Sequence, residues 1–128
     1  MSEIPTELRF AETHEWVGSE DDGIVRIGIS DHAQKQLGDL VFVELPEEGA
    51  TFSAGDACAV VESVKAASDI YCPVSGEVVA LNAALSDAPE TVNSDCYGEG
   101  WLFSVRLDDA DQLEELMSAD QYKDFLDE

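Results

Sequence analysis

The sequence predicts an all-β fold of short antiparallel strands, with one brief helix in the first third and short helices at the end. Apolar residues recur mostly at every second position, as they do in strands that have one buried face. Turn-forming residues interrupt this alternation about every eight to twelve positions, a spacing typical of small all-β domains. With 128 residues, of which 45% are apolar, the chain is long enough to build the core of one ordinary domain.

The first half of the chain is predicted to contain four strands and one helix. The strands are expected at residues 8–10, 14–17, 24–29 and 40–45, with a polar turn at 18–23. A helix is expected over residues 30–37, because the side chain of Ser30 or Asp31 can accept hydrogen bonds from the first backbone N–H groups. Gly38 is expected to end this helix.

The second half is predicted to continue the sheets and to finish in helices. Strands are expected at residues 57–63, 68–72, 77–81 and 101–107. Residues 64–67 are expected to form the tip of a β-hairpin, and residues 82–100 a loop. From residue 108 to 128, apolar residues recur at helical spacing with acids between them. Two short helices joined near Ser118 are predicted there, packed on the sheets, with an amphipathic partner-binding helix as the alternative.

The predicted strands also identify a core. Segment 40–45 is apolar at almost every position, which predicts a strand buried on both faces. The apolar residues expected inside the sheets are Val41, Val43, Val60, Ile70, Val78, Leu102 and Val105. A single domain is expected over residues 1–128, with a β core at about 8–107 and a helical appendix at 108–128.

The charge of the chain restricts its partners. Six basic residues stand against 29 acidic ones, and the formal net charge at pH 7 is −23. Nucleic acids and anionic membrane surfaces are excluded as partners, because both would be repelled. A protein partner is expected to offer a basic or mixed face, while the alternative is that the charge only keeps the protein soluble.

Segments that address or anchor a protein are not expected. No run approaches the roughly 18 apolar residues of a membrane helix. The first seven residues lack the basic and apolar regions of a secretory signal. Cys58, Cys72 and Cys96 are too few and too irregularly spaced for a disulfide framework or a zinc motif. A cytoplasmic protein is therefore expected.

Common catalytic and metal-binding motifs are missing from the sequence. It contains no GxSxG, no glycine-rich phosphate loop, no HExxH and no EF-hand loop. The two histidines, His14 and His32, follow no metal-site spacing and are interpreted as structural or surface residues. No catalytic residue and no metal site are predicted.

Lys65 is the residue that stands out. It is the only basic side chain between residues 36 and 105, and it lies at the predicted hairpin tip. An amine that projects from a sheet is a good attachment point for a covalent prosthetic group. A solvated surface lysine is the ordinary alternative. A Schiff-base nucleophile is a third, which would need desolvation or a neighbouring cation, whereas Glu62 and Asp69 favour the charged ammonium.

The sequence around this lysine resembles one family closely. Residues 61–71 read VESVKAASDIY and residues 73–78 read PVSGEV, which is similar to the lipoyl-attachment segment of glycine cleavage system H proteins. Further segments follow in the family's order between about residues 8 and 122, among them HEW at 14–16, VFVELP at 41–46 and YGEGW at 97–101. Biotin carriers have methionines on both sides of the lysine, and lipoyl domains of 2-oxoacid dehydrogenases usually have Asp before it. Cys96 stands where H proteins commonly have proline.

The resemblance implies a site, a fold and a cofactor. Lys65 would carry one lipoate in amide linkage, and the fold would be a barrel–sandwich hybrid of two antiparallel sheets, as in lipoyl and biotinyl carriers. The family pattern assigns the cleft that receives the loaded arm to Thr13, Glu15 and Asp69. The residues around the lysine that the modifying enzyme would recognise are Glu62, Ser63, Val64 and Ala66.

The resemblance also implies a non-catalytic role with several partners. Lipoate would take the aminomethyl group of glycine from the P protein, glycine decarboxylase, to the T protein, aminomethyltransferase. Dihydrolipoyl dehydrogenase, the L protein, would reoxidise it, and a lipoate ligase or a lipoyl/octanoyl transferase would attach it. The chain is expected to be a monomer. The alternatives are a relay that donates lipoate to 2-oxoacid dehydrogenase complexes and an enzyme that uses Lys65 as a Schiff-base nucleophile.

Overall fold

The computed structural model describes residues 8–21, 23–108 and 111–126. The first seven residues, from which no secretory signal was expected, lie outside this description. So do residue 22 of the predicted turn and residues 109–110 and 127–128 of the predicted helical segment.

The described residues contain nine strands, and all their pairings are antiparallel. The strands are β1 (Arg9–Phe10), β2 (Glu15–Asp21), β3 (Ile24–Ile29), β4 (Leu40–Glu44), β5 (Thr51–Phe52), β6 (Ala57–Ser63), β7 (Ala67–Tyr71), β8 (Gly76–Leu81) and β9 (Phe103–Leu107). One sheet has the order β1-β2-β3-β9-β8-β5 and the other the order β4-β6-β7. The predicted all-β class with two antiparallel sheets is confirmed.

One local expectation about strands is wrong, and one short strand was not predicted. The predicted polar turn at 18–23 is mostly strand, because Gly18 pairs with Arg26 and Ser19 with Val25, which carries β2 through to Asp21. The short strand β5 was not predicted. Its two residues, too few to show a period, pair only with the start of β8.

The core lies between the two sheets. The largest buried cluster joins β3, β8 and β9 of one sheet to β4, β6 and β7 of the other. Of the predicted core residues, five are buried: Val43, Ile70, Val78, Leu102 and Val105. Val60 is half-buried, and Val41 is 57% exposed. Val41 was therefore wrongly placed in the core.

The exposure of Val41 has a structural cause. β4 is an edge strand that pairs only with β6, and its register shifts between Leu40 and Phe42. This irregularity turns both Val41 and Phe42 away from the core, and Phe42 is 48% exposed. The prediction that segment 40–45 is buried on both faces is wrong, since apolar composition alone does not distinguish an edge strand from a central one.

The helices are short. They are α1 (Asp31–Leu37), α2 (Thr91–Ser94), α3 (Gln112–Glu115) and α4 (Ala119–Leu126), with a 3₁₀ turn at Ala83–Ser86. Ser30 begins α1, where its Oγ accepts a hydrogen bond from Ala33 N at 3.2 Å. Gly38 ends it with a φ of 84°, as predicted. The segment 82–100 is not only loop, since it holds α2 and the 3₁₀ turn. No helix in the described ranges is long and apolar enough to cross a membrane.

The last two helices are separated near Ser118, as predicted. Ser118 Oγ accepts a hydrogen bond from Gln121 N at 3.2 Å and so caps the start of α4. α4 packs on β1 and β2 through a second buried cluster of Phe10, Trp16, Ala119 and Tyr122. The rings of Phe10 and Tyr122 are stacked, with centroids 4.4 Å apart. The apolar face of α4 is thus covered by the chain itself, as expected for an appendix packed on the sheets.

Candidate functional site

Lys65 lies at the tip of the β6–β7 hairpin, as predicted. Ser63 N donates to Ala66 O at 2.8 Å and closes a tight turn. Ser63 Oγ accepts from the backbone N–H groups of both Lys65 and Ala66 at 3.2 Å. The turn is therefore held by a serine side chain, and the Lys65 side chain at its tip is exposed.

The hairpin is tied to the C-terminal end of α1. Val64 N donates to Asp39 O at 3.1 Å, and Lys65 Nζ donates to Gln36 O at 3.4 Å. The Lys65 side chain passes over Gly38, where an added Cβ would lie 3.3 Å from Lys65 Cε. The amine thus lies beside an exposed helix end whose carbonyl oxygens favour a positive charge.

A cleft of about 220 Å³ opens beside this helix end. The α1 wall is formed by Ala33, Gln36 and Leu37, the β7 wall by Ser68, Asp69 and Ile70, and the inner end by Thr13, His14 and Glu15, with Ile29 of β3. Gln36 contacts the amine of Lys65 and also lines the cleft. The lysine therefore stands at the mouth of the cleft.

The structure brings the three predicted cleft residues together. Asp69 is exposed at the rim, and at the inner end Thr13 is exposed while Glu15 is only 2% exposed. Thr13 Oγ1 donates to Glu15 Oε1, and Tyr71 N donates to Glu15 Oε2 at 3.4 Å. Burial raises the pKa of Glu15 from 4.5 to about 7, although both hydrogen bonds favour the carboxylate. The inner end of the cleft therefore holds a carboxyl group that titrates near neutral pH.

His14 is a cleft residue that sequence reasoning missed. It was interpreted as a structural or surface histidine, yet it lies between Thr13 and Glu15 in the cleft wall. Its Nδ1 atom is 2.7 Å from the hydroxyl of Tyr122, and its ring centroid is 4.8 Å from that of His32. Burial, and then His32, lower the pKa of His14. Its place between two predicted cleft residues was the available signal.

The residues predicted to guide a modifying enzyme surround Lys65. Glu62, Val64 and Ala66 are exposed, and Ser63 is half-buried because its hydroxyl holds the turn. Val64 is 68% exposed, and the exposed Phe42 pairs with Glu62 on the same sheet. The lysine is therefore flanked by apolar and acidic side chains that a partner can contact.

This arrangement suits attachment better than chemistry by the chain itself. An amine that acts as a Schiff-base nucleophile has to be desolvated or placed near a cation. The Lys65 side chain is exposed, and its hydrogen-bond acceptor is a carbonyl oxygen. Among the described residues, no group of three or more His, Cys, Asp or Glu could hold a metal ion. What the site offers is an accessible amine next to a cleft with an acidic inner end.

Comparison with known proteins identifies the family. A family model described as glycine cleavage H-protein matches residues 8–128. The glycine cleavage system H protein of Shewanella loihica is 61% identical over 128 residues, covering 100% of this chain and 99% of the relative. That of Pseudoalteromonas atlantica is 59% identical with the same coverage.

A solved structure agrees with both sequence and fold. The crystal structure of a glycine cleavage system H protein from Mycobacterium marinum matches with a TM-score of 0.89 and 42% identity. The match covers 98% of this chain and 100% of that one. The predicted barrel–sandwich hybrid fold is confirmed. The resemblance inferred from the hairpin segment is also confirmed, and the chain belongs to the glycine cleavage H-protein family, whose members are carrier subunits and not catalysts.

Proposed function

We propose that the protein is the lipoyl carrier of a glycine cleavage system, with lipoate in amide linkage to the Nζ atom of Lys65. H proteins carry lipoate, so family membership supports the role. The observation that carries the assignment to Lys65 is its position. The amine is exposed at a hairpin tip and lies beside Gln36 at the mouth of the cleft. A modifying enzyme can reach such an amine, and a group attached to it can enter the cleft.

The cleft suits an arm of this chemistry. Its middle is lined by the apolar side chains of Ile29, Ala33, Leu37 and Ile70, which can pack against an aliphatic chain. Its inner end holds the Thr13 hydroxyl and the Glu15 carboxyl, and its rim holds Asp69. Carboxylates and a hydroxyl in a partly dry cleft bind an ammonium group well.

Lipoate, when bound, supplies a dithiolane that accepts the aminomethyl group of glycine and delivers it to a second enzyme. The chain's own residues contribute binding and shielding. Glu15 and Asp69 are proposed to bind the terminal amine, with Thr13 orienting Glu15 through its hydrogen bond. The cleft walls are proposed to keep water from the loaded arm, because an aminomethyl group bound to sulfur hydrolyses readily in water.

The proposed partners are those of a carrier that visits several enzymes. They are the P protein (glycine decarboxylase), the T protein (aminomethyltransferase) and the L protein (dihydrolipoyl dehydrogenase), with a lipoate ligase or lipoyl/octanoyl transferase for modification. The modifying enzyme is proposed to contact Glu62, Ser63, Val64 and Ala66 around Lys65. With a net charge of −23, the carrier suits basic or mixed docking faces. We further propose that residues 1–128 act as one domain, as a monomer in the cytoplasm.

The first test is the mass of the protein purified from its native cell. The mass of the parent is expected to exceed the mass of its amino-acid sequence by one lipoyl group, and the mass of Lys65→Arg is expected to show no such increase. A reconstituted mixture of the P, T and L proteins with this carrier should oxidise glycine when the carrier is the parent, and should not do so when it is Lys65→Arg. The matched control is Lys35→Arg, since Lys35 is also exposed but pairs with Asp31 on α1 at 3.2 Å. Undiminished glycine oxidation by Lys65→Arg would contradict the proposal.

The second test concerns the cleft. Asp69→Asn is expected to leave lipoylation intact and to shorten the half-life of the loaded arm, because the rim loses a charge that binds its amine. Asp87→Asn is the control, since Asp87 is exposed and lies outside the cleft. Equal half-lives for Asp69→Asn and the parent would remove Asp69 from the proposed cleft role.

A further inference from the structure

The C-terminal helix reaches the back of the cleft through one hydroxyl group. Tyr122 of α4 is fully buried. Its hydroxyl oxygen is 2.7 Å from His14 Nδ1 and 2.7 Å from Ser30 Oγ. His14 belongs to the inner end of the cleft, and Ser30 begins α1, which forms one of its walls. A single hydroxyl therefore joins α4 to two elements that bound the cleft.

His14 has a backbone conformation that needs support from its surroundings. Its φ is 75°, the only positive φ among the described non-glycine residues. Residues other than glycine rarely adopt this left-handed backbone conformation. The backbone around it is hydrogen-bonded, with His14 N donating to Ala11 O and Ser30 N donating to His14 O, both at 2.9 Å. The contact with Tyr122 holds the side chain of this strained residue as well.

The same turn determines where the cleft carboxyl points. Thr13 and Glu15 flank His14, and the Thr13 hydroxyl donates to the Glu15 carboxyl. Ala11 N donates to Glu15 O at 2.9 Å and closes the turn around His14. A change in the conformation of His14 would therefore move both of its neighbours in the cleft.

We propose that Tyr122 is a positioning residue for the cleft. Its hydroxyl holds His14 and Ser30 in place, so that the Thr13–Glu15 pair faces the cleft in one fixed arrangement. The consequence for a loaded arm rests on the proposed function, whereas the positioning itself is a property of the unmodified protein. This gives the helical appendix a task beyond covering β1 and β2.

The groups around His14 indicate which signals should respond. His32 faces it from α1, Tyr122 from α4, and Glu15 follows it in β2, with Asp69 across the cleft on β7. Burial is the main cause both of the lowered pKa of His14 and of the raised pKa of Glu15. A wall that loosens and admits water should return both pKa values toward those of the free side chains.

Tyr122→Phe in the unmodified protein is the direct test. It removes the hydroxyl and keeps the ring that stacks on Phe10. Followed by NMR, the Glu15 midpoint is expected to fall and the His14 midpoint to rise, each by clearly more than in the control variant. The control is Tyr97→Phe, because the Tyr97 hydroxyl accepts a hydrogen bond from Asp31 N at 3.0 Å and touches α1 without bonding to His14.

The outcomes separate a positioning role from a merely structural one. If Tyr122→Phe lowers stability but leaves both midpoints where the parent has them, the proposal is wrong. The same holds if Tyr97→Phe shifts both midpoints equally. In protein lipoylated on Lys65, Tyr122→Phe is further expected to shorten the half-life of the loaded arm severalfold. If Tyr122→Phe shifts both midpoints but the protein purified from its native cell is never lipoylated, the positioning role is upheld and only the proposed function is contradicted.

Discussion

The two ends of the cleft are built in opposite ways. At the mouth, Lys65 stands on a turn whose hydrogen bonds join residues two or three positions apart. At the inner end, His14 is held by Tyr122, 108 positions away in the chain. The tip is exposed, whereas at the inner end Glu15 is buried and His14 is half-buried and bonded to Tyr122 of α4. An attachment point that visits other proteins has to be accessible, whereas the wall that receives its cargo has to hold polar groups in place.

The same difference appears in the ionisable groups. The mouth carries Lys65 among exposed acids, where water screens charge. The inner end carries a buried carboxyl and a partly buried imidazole, and burial shifts their pKa values in opposite directions, up for Glu15 and down for His14. Substitutions at the inner end should therefore change the stability of the protein and its pH dependence. Substitutions at the hairpin tip should mainly change the binding of partner proteins.

Removing the ring of Tyr122, which holds His14 at the inner end of the cleft, is expected to have the largest effect on stability. Tyr122→Ala deletes a fully buried ring stacked on Phe10 and should lower the free energy of unfolding by about 3–5 kcal/mol. Urea unfolding measures this. The control is Tyr71→Ala on β7, whose side chain is 38% exposed, and it should cost about 1 kcal/mol or less. Similar losses for the two tyrosines would contradict the difference in burial between them.

The next largest effect concerns pH. Because the pKa of Glu15 rises from 4.5 unfolded to about 7 folded, its contribution is fully present below pH 4.5 and is lost as the pH rises through 7. The full span amounts to about 3 kcal/mol. Glu15→Gln should remove this loss, so that the variant gains stability over the parent between pH 5 and pH 8. Urea unfolding at several pH values checks it.

Two further observations sharpen the pH prediction. The lowered pKa of His14 acts with the opposite sign, since its contribution is present above pH 6.5 and is lost as the pH falls below that value. Only the difference between Glu15→Gln and the parent therefore isolates Glu15. Thr13→Val removes the hydroxyl that favours the carboxylate and should widen the pH window in which stability falls. A parent and Glu15→Gln with parallel pH profiles would contradict the burial of this carboxyl.

The mouth could be predicted from the sequence far better than the wall. The turn that carries Lys65 is closed by hydrogen bonds between near neighbours, so the local sequence contains the information that specifies the turn, although Asp39 and Gln36 also bond to it from the end of α1. Glu15 and His14 are instead bonded to Tyr71 and Tyr122, which lie in distant parts of the chain. Alternation and spacing describe a strand and its neighbours along the chain, and they do not show what packs over it.

Val41 shows the same limit within a single strand. Its neighbours along the chain are as apolar as those of a central strand, yet the edge position of β4 and the register shift turn Val41 outward. Both ends of helix α1 could be predicted, because the residue types of Ser30 and Gly38 are themselves the signals that begin and end a helix. What could be predicted was local in its physical cause, and what was missed depended on the arrangement of the sheets.

A moderate effect is expected where the tip meets α1. Gly38 has a φ of 84° and a ψ of −162°, a backbone region that essentially only glycine adopts, so Gly38→Ala should cost about 1–3 kcal/mol from backbone strain. Gly23→Ala is the matched control, since Gly23 has a φ of 79° with open space around it. Both variants should lose stability in urea, but only Gly38→Ala should shift the NMR signals of Lys65, which its new methyl group would contact. Unchanged Lys65 signals in Gly38→Ala would mean that Lys65 does not lie over Gly38.

The smallest effect on stability is expected at the tip itself. Val64 is 68% exposed, so Val64→Ala removes little buried surface and should change the free energy of unfolding by no more than about 0.5 kcal/mol. Its structural contact is a backbone hydrogen bond to Asp39, which alanine keeps. The rate of lipoylation by a ligase should nevertheless fall, because an apolar contact beside Lys65 is lost. A loss of stability as large as that of Tyr122→Ala would show that the tip is packed like the wall. The side chains at the two ends of the cleft would then be packed to a similar degree, and the mouth would not be the exposed end.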